Sequence, residues 1–209
     1  MRDFRLYVII DKKACLRLDG RDLVYAAREA VAGGADVIQL RDKESEAREV
    51  VEAGRQIRKA VGRDKAVFIV NDRPDIALAV GADGVHLGQD DLPVTAARSI
   101  LGKDKIIGLS THSLEQASVA QNSGADYIGV GPVFSTPTKP GYKAVGLELI
   151  KKVKQINGIP FVAIGGIDDS NIDDVVAAGS IRVAVVRAVC GAEDIRAAAK
   201  RLKDKLYKI

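Results

Sequence analysis

Short apolar runs alternate with amphipathic stretches along the chain, and each apolar run stops at a cluster of polar residues. The stretch from Ala66 to Pro93, AVFIVNDRPDIALAVGADGVHLGQDDLP, shows the unit most clearly. Val67–Val70 is halted by Asn71 and Asp72, and Gly84–Leu87 by Gly88, Gln89, Asp90 and Asp91. Runs this short and this rich in β-branched residues predict buried strands of a parallel sheet. Between them, Pro74–Val80 followed by Gly81 predicts a short helix, with Pro near its start and Gly past its end. The result is a βαβ unit with carboxylates at the carboxyl ends of consecutive strands, the edge where barrels and open sheets bind ligands.

The same alternation extends through the chain. Further strands are predicted at Phe4–Ile10, Asp36–Leu40, Ile106–Leu109, Asp126–Val130, Pro160–Ile164 and Ile181–Val186. Helices are predicted at Asp22–Ala32, Glu44–Val61, Val94–Leu101, from the N-cap Ser113 to Asn122, and at Leu147–Gln155, Asp168–Ala178 and Glu193–Leu206. Strand–helix pairs at a period of roughly 25 residues, with no hairpin signal, predict an α/β fold of the (β/α)8 TIM-barrel type, in one domain spanning the chain. A recurring signature supports this: Gly-Ala-Asp, or Gly-Gly-Ala-Asp, precedes the second, fourth and sixth strands at Asp36, Asp83 and Asp126. A flavodoxin-like open sheet would leave about three of the strands without a place.

Composition narrows the function. At 209 residues and 47% hydrophobic content, the chain has enough apolar material for one sizeable core. The net charge of +4 is mild, aromatic residues make up 4%, and there is no Trp to stack on bases, so nucleic acid is not an expected partner. The C-terminal cluster of Lys200, Arg201, Lys203, Lys205 and Lys208 reads as a solvated helix face. Cys15 and Cys190 are far apart and form no CxxC pattern, which predicts neither a disulfide framework nor a zinc site. No apolar run approaches the roughly 18 residues of a membrane span, and the N-terminal run is too short for a signal peptide. A cytoplasmic protein is expected.

The residues after each predicted strand form one polar set. Gln39, Arg41 and Lys43 follow the second strand, Asn71 and Asp72 the third, and Gln89 and Asp91 the fourth. Ser110, Thr111 and His112 follow the fifth, and Thr136, Thr138 and Lys139 lie in the long loop after the sixth. Gly165-Gly166 and Val186-Arg187 follow the last two. Two carboxylates suit Mg²⁺ held by one or two acids, waters and a substrate phosphate. Arg41, Lys43 and Lys139 converge on the same mouth, and three cations beside a metal site call for a polyanion such as a diphosphate. Turns after the seventh and eighth strands are a recurrent phosphate site in barrels.

Each residue also has a plainer explanation. Asp72 could cap the following helix, Asp90 and Asp91 could sit in a solvated turn, and His86, inside a strand, reads as a core histidine. His112 alone says little about acid–base chemistry. The convergence of the set is what points to a site.

Gln39-Leu-Arg-Asp-Lys43, Asn71-Asp72, His86-Leu-Gly-Gln-Asp-Asp91, Gly108-Leu-Ser110, Gly131-Pro-Val-Phe-Ser-Thr-Pro-Thr-Lys139 and Ala163-Ile-Gly-Gly166 together resemble thiamine phosphate synthase. They occur in that family's order from residue 39 to 187. The resemblance implies a transferase that joins a hydroxymethylpyrimidine diphosphate to a thiazole phosphate and releases diphosphate. It implies that Gln39, Leu40, Arg41, Asp42, Lys43, Asn71, Ser110 and Lys139 bind the pyrimidine diphosphate, with Arg41, Lys43, Ser110 and Lys139 catalytic. It assigns Asp72 and Asp91 to Mg²⁺, and Thr136, Pro137, Thr138, Gly166, Val186 and Arg187 to the thiazole phosphate. The implied partners are these small molecules, with a homo-oligomer left open.

One departure stands before the eighth strand, where Gly179 is followed by Ser180-Ile-Arg182-Val183 instead of the family's Gly-Ala-Asp-Gly-Val. Arg182 is expected to reshape the approach to the second phosphate site. The related thiazole tautomerase shares the barrel but is expected to carry a histidine in the loop after the sixth strand, where this chain has Pro132. A non-catalytic barrel that binds a thiamine precursor is a further alternative, against which the pair of carboxylates argues.

Overall fold

In the computed structural model, which describes residues 4–15, 22–138, 141–156 and 158–207, the apolar runs close into a parallel barrel. Its strands are β1 (Leu6–Asp11), β2 (Val37–Arg41), β3 (Val67–Asn71), β4 (Gly84–Leu87), β5 (Ile106–Thr111), β6 (Tyr127–Val130), β7 (Phe161–Ile164) and β8 (Val183–Val185). Neighbours in sequence are neighbours in the barrel, and β8 closes on β1. The helices are α1 (Lys12–Cys15), α2 (Leu23–Ala32), α3 (Ala47–Val61), α4 (Pro74–Ala79), α5 (Val94–Leu101), α6 (Leu114–Ala120), α7 (Gly146–Ile156), α8 (Ile172–Ala177), α9 (Arg187–Cys190) and α10 (Ile195–Tyr207). Among the described residues no helix is long and apolar enough to cross a membrane. Lys139 and Lys208 lie outside the described residues.

Alternation along each strand sorts side chains into two layers. Leu6, Val8, Ile10, Ile38, Leu40, Phe68, Val70, Val85 and Leu87 face outward and pack under the helices in the main core. Tyr7, Ile9, Val37, Ile69, Tyr127, Val162 and Ala184 face inward and fill the barrel. Gln39 pairs in register with Ile9 and Ile69, and Asn71 with His86, so these polar residues continue the inward rows toward the carboxyl rim.

The recurring aspartates have a structural explanation at the other end of the barrel. Asp83 accepts from the Phe68 N–H at 2.7 Å and pairs with Arg58 at 2.8 Å; Asp126 accepts from the Ile107 N–H at 2.7 Å and pairs with Arg98 at 2.7 Å. Asp36 likewise accepts from the Arg5 and Leu6 N–H groups and pairs with Lys203. Each ties the start of the preceding strand to a basic helix residue.

Several elements differ from expectation. The third helix starts at Ala47 instead of Glu44, because Asp42 accepts from the N–H groups of Glu44 and Ser45, both at 3.0 Å, and holds them in a turn. The short helices α1 and α9 carry no periodic signal of their own; Asp11 opens α1 by accepting from the Ala14 N–H at 2.9 Å. The eighth strand is only Val183–Val185, and Arg182 lies at its amino end, with its guanidinium 5.4 Å from the Phe4 ring centroid. That is the amino end of the barrel, opposite the Gly165-Gly166 and Val186-Arg187 turns. The expectation that Arg182 reshapes the second phosphate site is therefore corrected.

Candidate active site at the carboxyl rim

The inward rows end in a cavity of about 420 Å³ at the carboxyl ends of the strands. Of the residues singled out from the sequence, Gln39, Arg41, Asn71, Ser110, Thr136, Pro137, Thr138, Gly166, Val186 and Arg187 line it. Lys43, Asp72 and Asp91 lie outside this lining, and Lys43 meets Asp72 at 2.8 Å. The Leu40 side chain points the other way, into the core under the helices, so only its main chain can serve the mouth. Asp42 is turned toward its own loop and toward Lys12 at 3.6 Å. Burial raises its carboxyl, but hydrogen bonds from Ser45 and Glu44, with Lys12 nearby, outweigh that and hold it below the ordinary carboxylate range.

Asp72 is the only non-glycine residue among those described with a left-handed backbone, at φ 63. Aspartate tolerates this conformation better than most residues, and such positions concentrate at functional sites. The N-cap of α4 is Arg73, with no side-chain cap, so Asp72 is not spent on capping the helix. Its N–H donates to the His86 carbonyl at 2.8 Å, anchoring β3 to β4. Burial raises the Asp72 carboxyl above its ordinary range; Lys43 opposes the shift and the neighbouring Asp91 adds to it. Asp91 also accepts from the Gly88 N–H at 2.6 Å, which closes the turn after β4. Two adjoining carboxylates that repel each other, with hard oxygen donors, fit a divalent cation such as Mg²⁺. Among the described residues there is no cluster of three or more His, Cys, Asp or Glu, so waters and substrate would have to complete the shell.

The rest of the β2 side is anchored from β1. Arg41 pairs with Asp11, which is 3% exposed. The sequence reading passed over Asp11, although its position two residues beyond Ile9 on the inward row marks it. Beneath the mouth lies a network whose two tyrosines, Tyr7 and Tyr127, it also passed over. Gln39 donates to the Tyr7 hydroxyl at 2.7 Å; Tyr7 and Tyr127 meet at 3.0 Å; Tyr127 meets His86 Nδ1 at 2.9 Å; His86 Nε2 meets Ser110 Oγ at 3.0 Å. Burial pushes both phenols well above their ordinary value, so they keep their protons. His86 lines the cavity and is not merely a core residue. Gly108 makes room for the network, since a Cβ there would lie 2.2 Å from the Tyr127 ring and 2.5 Å from His86 Nδ1.

The opposite side is made by main chain. The loop after β6 runs back along β7, with Val133 N–H donating to the Ile164 carbonyl at 2.8 Å and Phe134 N–H to the Gly165 carbonyl at 2.9 Å. Gly166 has φ +65, and a Cβ there would lie 2.7 Å from both Phe134 Cβ and Ser135 O. Only glycine fits so close an approach at this backbone angle. Asn171 ties down the Gly166 carbonyl at 2.9 Å. Val186 and Arg187 complete this wall at the start of α9.

A family model described as thiamine monophosphate synthase matches residues 6–189. The chain belongs to the thiamine monophosphate synthase family. Its relatives include a thiamine-phosphate synthase of Halalkalibacterium halodurans, 48% identical over 94% of this chain and 92% of that one. The thiamine-phosphate synthase of Moorella thermoacetica is also 48% identical, over 98% of this chain and 96% of that one. Among solved structures, thiamine phosphate pyrophosphorylase from Pyrococcus furiosus superposes with a TM-score of 0.88 at 41% identity, covering 98% of this chain and 96% of that one. A 3-hexulose-6-phosphate synthase, at 23% identity and a TM-score of 0.69, shares the barrel alone. As a member of the thiamine monophosphate synthase family the chain is an enzyme of the transferase class, and its cavity is the place to look for that chemistry.

Proposed function

We propose that the protein condenses 4-amino-2-methyl-5-(hydroxymethyl)pyrimidine diphosphate with 4-methyl-5-(2-phosphoethyl)thiazole, or its carboxylated form, giving thiamine phosphate and diphosphate, together with CO2 when the carboxylated form is used. The observation that carries this reading is one cavity with two unlike edges: Arg41 on the β2 side, with Lys43, Asp72 and Asp91 outside the lining, and on the other side a wall whose shape is set by main chain at Gly165 and Gly166. A diphosphate suits the first, and a phosphate monoester on a neutral ring suits the second.

In this reading Gln39 and Asn71 orient the pyrimidine, while Arg41, Lys43, Ser110 and Lys139 face the diphosphate; the roles of Lys139 and Leu40 rest on the family resemblance. Asp72 and Asp91 would hold Mg²⁺, which supplies positive charge to offset that developing on the diphosphate oxygens. The C–O bond to the pyrimidine methylene breaks first, its electron pair leaving with diphosphate, and the ring amino group helps delocalise the resulting cation. Arg41 and Lys43 stabilise the departing charge. Thr136, Pro137 and Thr138, with Gly166, Val186 and Arg187, hold the thiazole phosphate so that the thiazole nitrogen attacks the methylene. The step needs no enzyme nucleophile. Cys15 and Cys190 are free and buried, which suits a reducing, cytoplasmic setting.

The test is product analysis with both substrates, and with the thiazole phosphate alone. Thiamine phosphate and diphosphate in equal amounts are expected from the pair. Isomerised thiazole without condensation would turn the assignment to a tautomerase, and binding without either product to a carrier.

A further inference from the structure

The buried network beneath the mouth links two residues that line the cavity, Gln39 and Ser110, through three that the proposed chemistry does not use. Its hydrogen bonds can be assigned a direction. Gln39 Nε2 donates to the Tyr7 hydroxyl at 2.7 Å, so Tyr7 accepts there. Tyr7 is 2% exposed, and its own proton goes to its other partner, the Tyr127 oxygen at 3.0 Å. Tyr127 has then accepted, and its proton goes to His86 Nδ1 at 2.9 Å. An imidazole that accepts at Nδ1 and is neutral carries its hydrogen on Nε2, which donates to Ser110 Oγ at 3.0 Å. The serine proton is left for the cavity. At the other end, one N–H of the Gln39 amide goes to Tyr7, so the carbonyl oxygen, on the far side of the amide, is the acceptor this end can offer, beside the second N–H.

We propose that this floor is a one-way hydrogen-bond chain, from Gln39 through Tyr7, Tyr127 and His86 to Ser110, which presents an acceptor at Gln39 and a donor at Ser110. It selects an amino-substituted heterocycle joined to an anionic group, and Tyr7, Tyr127 and His86 are its positioning residues. The selection rests on the proposed synthase reading, in which the pyrimidine amino group donates to Gln39 and a diphosphate oxygen accepts from Ser110. Running the chain backwards would require the Gln39 amide to turn over, leaving N–H at one end and a lone pair at the other. Both would meet the wrong part of that substrate. The cost of reversing falls mainly on Tyr7 and Tyr127, which are buried, where an unmade hydrogen bond is expensive. Gly108 and Gly129 flank the histidine without side chains, at the expense of strand propensity, which keeps the path open.

The chain contains two histidines, so selective ¹⁵N labelling gives two imidazole spectra, and His86→Asn identifies which is which. In the ligand-free wild type at neutral pH, His86 is expected as the Nε2–H tautomer with a bare, hydrogen-bonded Nδ1. Tyr127→Phe should mix the tautomers and raise KM for the pyrimidine diphosphate about tenfold, leaving KM for the thiazole phosphate unchanged. Tyr7→Phe is the second cut and should do the same. The free aminopyrimidine alcohol should bind about tenfold tighter than its 4-oxo analogue. An Nδ1–H tautomer in the wild type, equal binding of the two alcohols, or unchanged KM in both variants would overturn the proposal. The tautomer is read without turnover, so an inactive protein would sink the synthase reading while leaving the polarity decided.

Discussion

Between β2 and β4 the mouth of the barrel is furnished with charged side chains, whereas between β6 and β8 it is furnished with main chain. On the first side Arg41 is held by Asp11, Lys43 by Asp72, and Asp72 lies against Asp91. On the second, Gly165 and Gly166 at positive φ let the 131–138 loop lie against β7, with backbone donors and acceptors setting the shape. The difference matches the two jobs proposed for the cavity. Breaking a bond to diphosphate develops charge that movable cations and a metal can follow, while holding a phosphate monoester needs a fixed shape. It follows that the first side should be sensitive to changes of charge and the second to added volume.

The largest effect is expected on the charged side. Asp72→Ala should lower turnover by about 10²–10³, and what remains should no longer respond to Mg²⁺; full, metal-responsive turnover would remove Asp72 from the metal site. On the main-chain side, Gly166→Ala should raise KM for the thiazole phosphate about tenfold and leave that for the pyrimidine diphosphate alone, since the new Cβ meets Phe134 and Ser135. A rise in the pyrimidine KM instead would show that the two walls do not act separately.

A smaller effect concerns stability. The Asp72 carboxyl is raised in the folded state, chiefly by burial, so folding favours its protonated form. That contribution is present below the unfolded value and is lost as pH rises through the folded one, leaving ionised Asp72 to oppose folding at neutral pH. Asp72→Asn, which keeps a residue tolerant of the left-handed backbone, should raise Tm in EDTA at pH 7 by about 2–4 °C, the gain shrinking on acidification. An unchanged difference between pH 7 and mild acid would refute the charge explanation. The smallest effect is expected far from both walls: Arg182→Gly should leave both KM values within about twofold, as its place beside Phe4 requires.

The barrel was legible in the sequence because each strand is a short apolar run with a clear stop, and the Gly-Ala-Asp signature marks a repeated tie between strand and helix. The residues after each strand were legible as a group for the same reason, since parallel strands deliver their carboxyl ends to one rim. Side-chain direction was less so. Leu40 sits between Gln39 and Arg41 in one motif, yet alternation turns it to the outer layer. Arg182 is close to Val186 in sequence but lies at the opposite end of the barrel. Tyr7, Tyr127 and His86 gave no signal as a network, because their contacts join residues up to 120 apart and depend on closure and register. The plainer explanation of Asp72 as a helix cap could be weighed only once α4 was seen to start without one.

The central claim is that the charged wall drives departure of diphosphate with a divalent cation held by Asp72 and Asp91. The most direct measurement is formation of thiamine phosphate by the purified protein with Mg²⁺, then with EDTA, then with excess Mg²⁺ restored. Product should appear with the metal, vanish with the chelator and return on replenishment. Undiminished synthesis in EDTA would contradict the account.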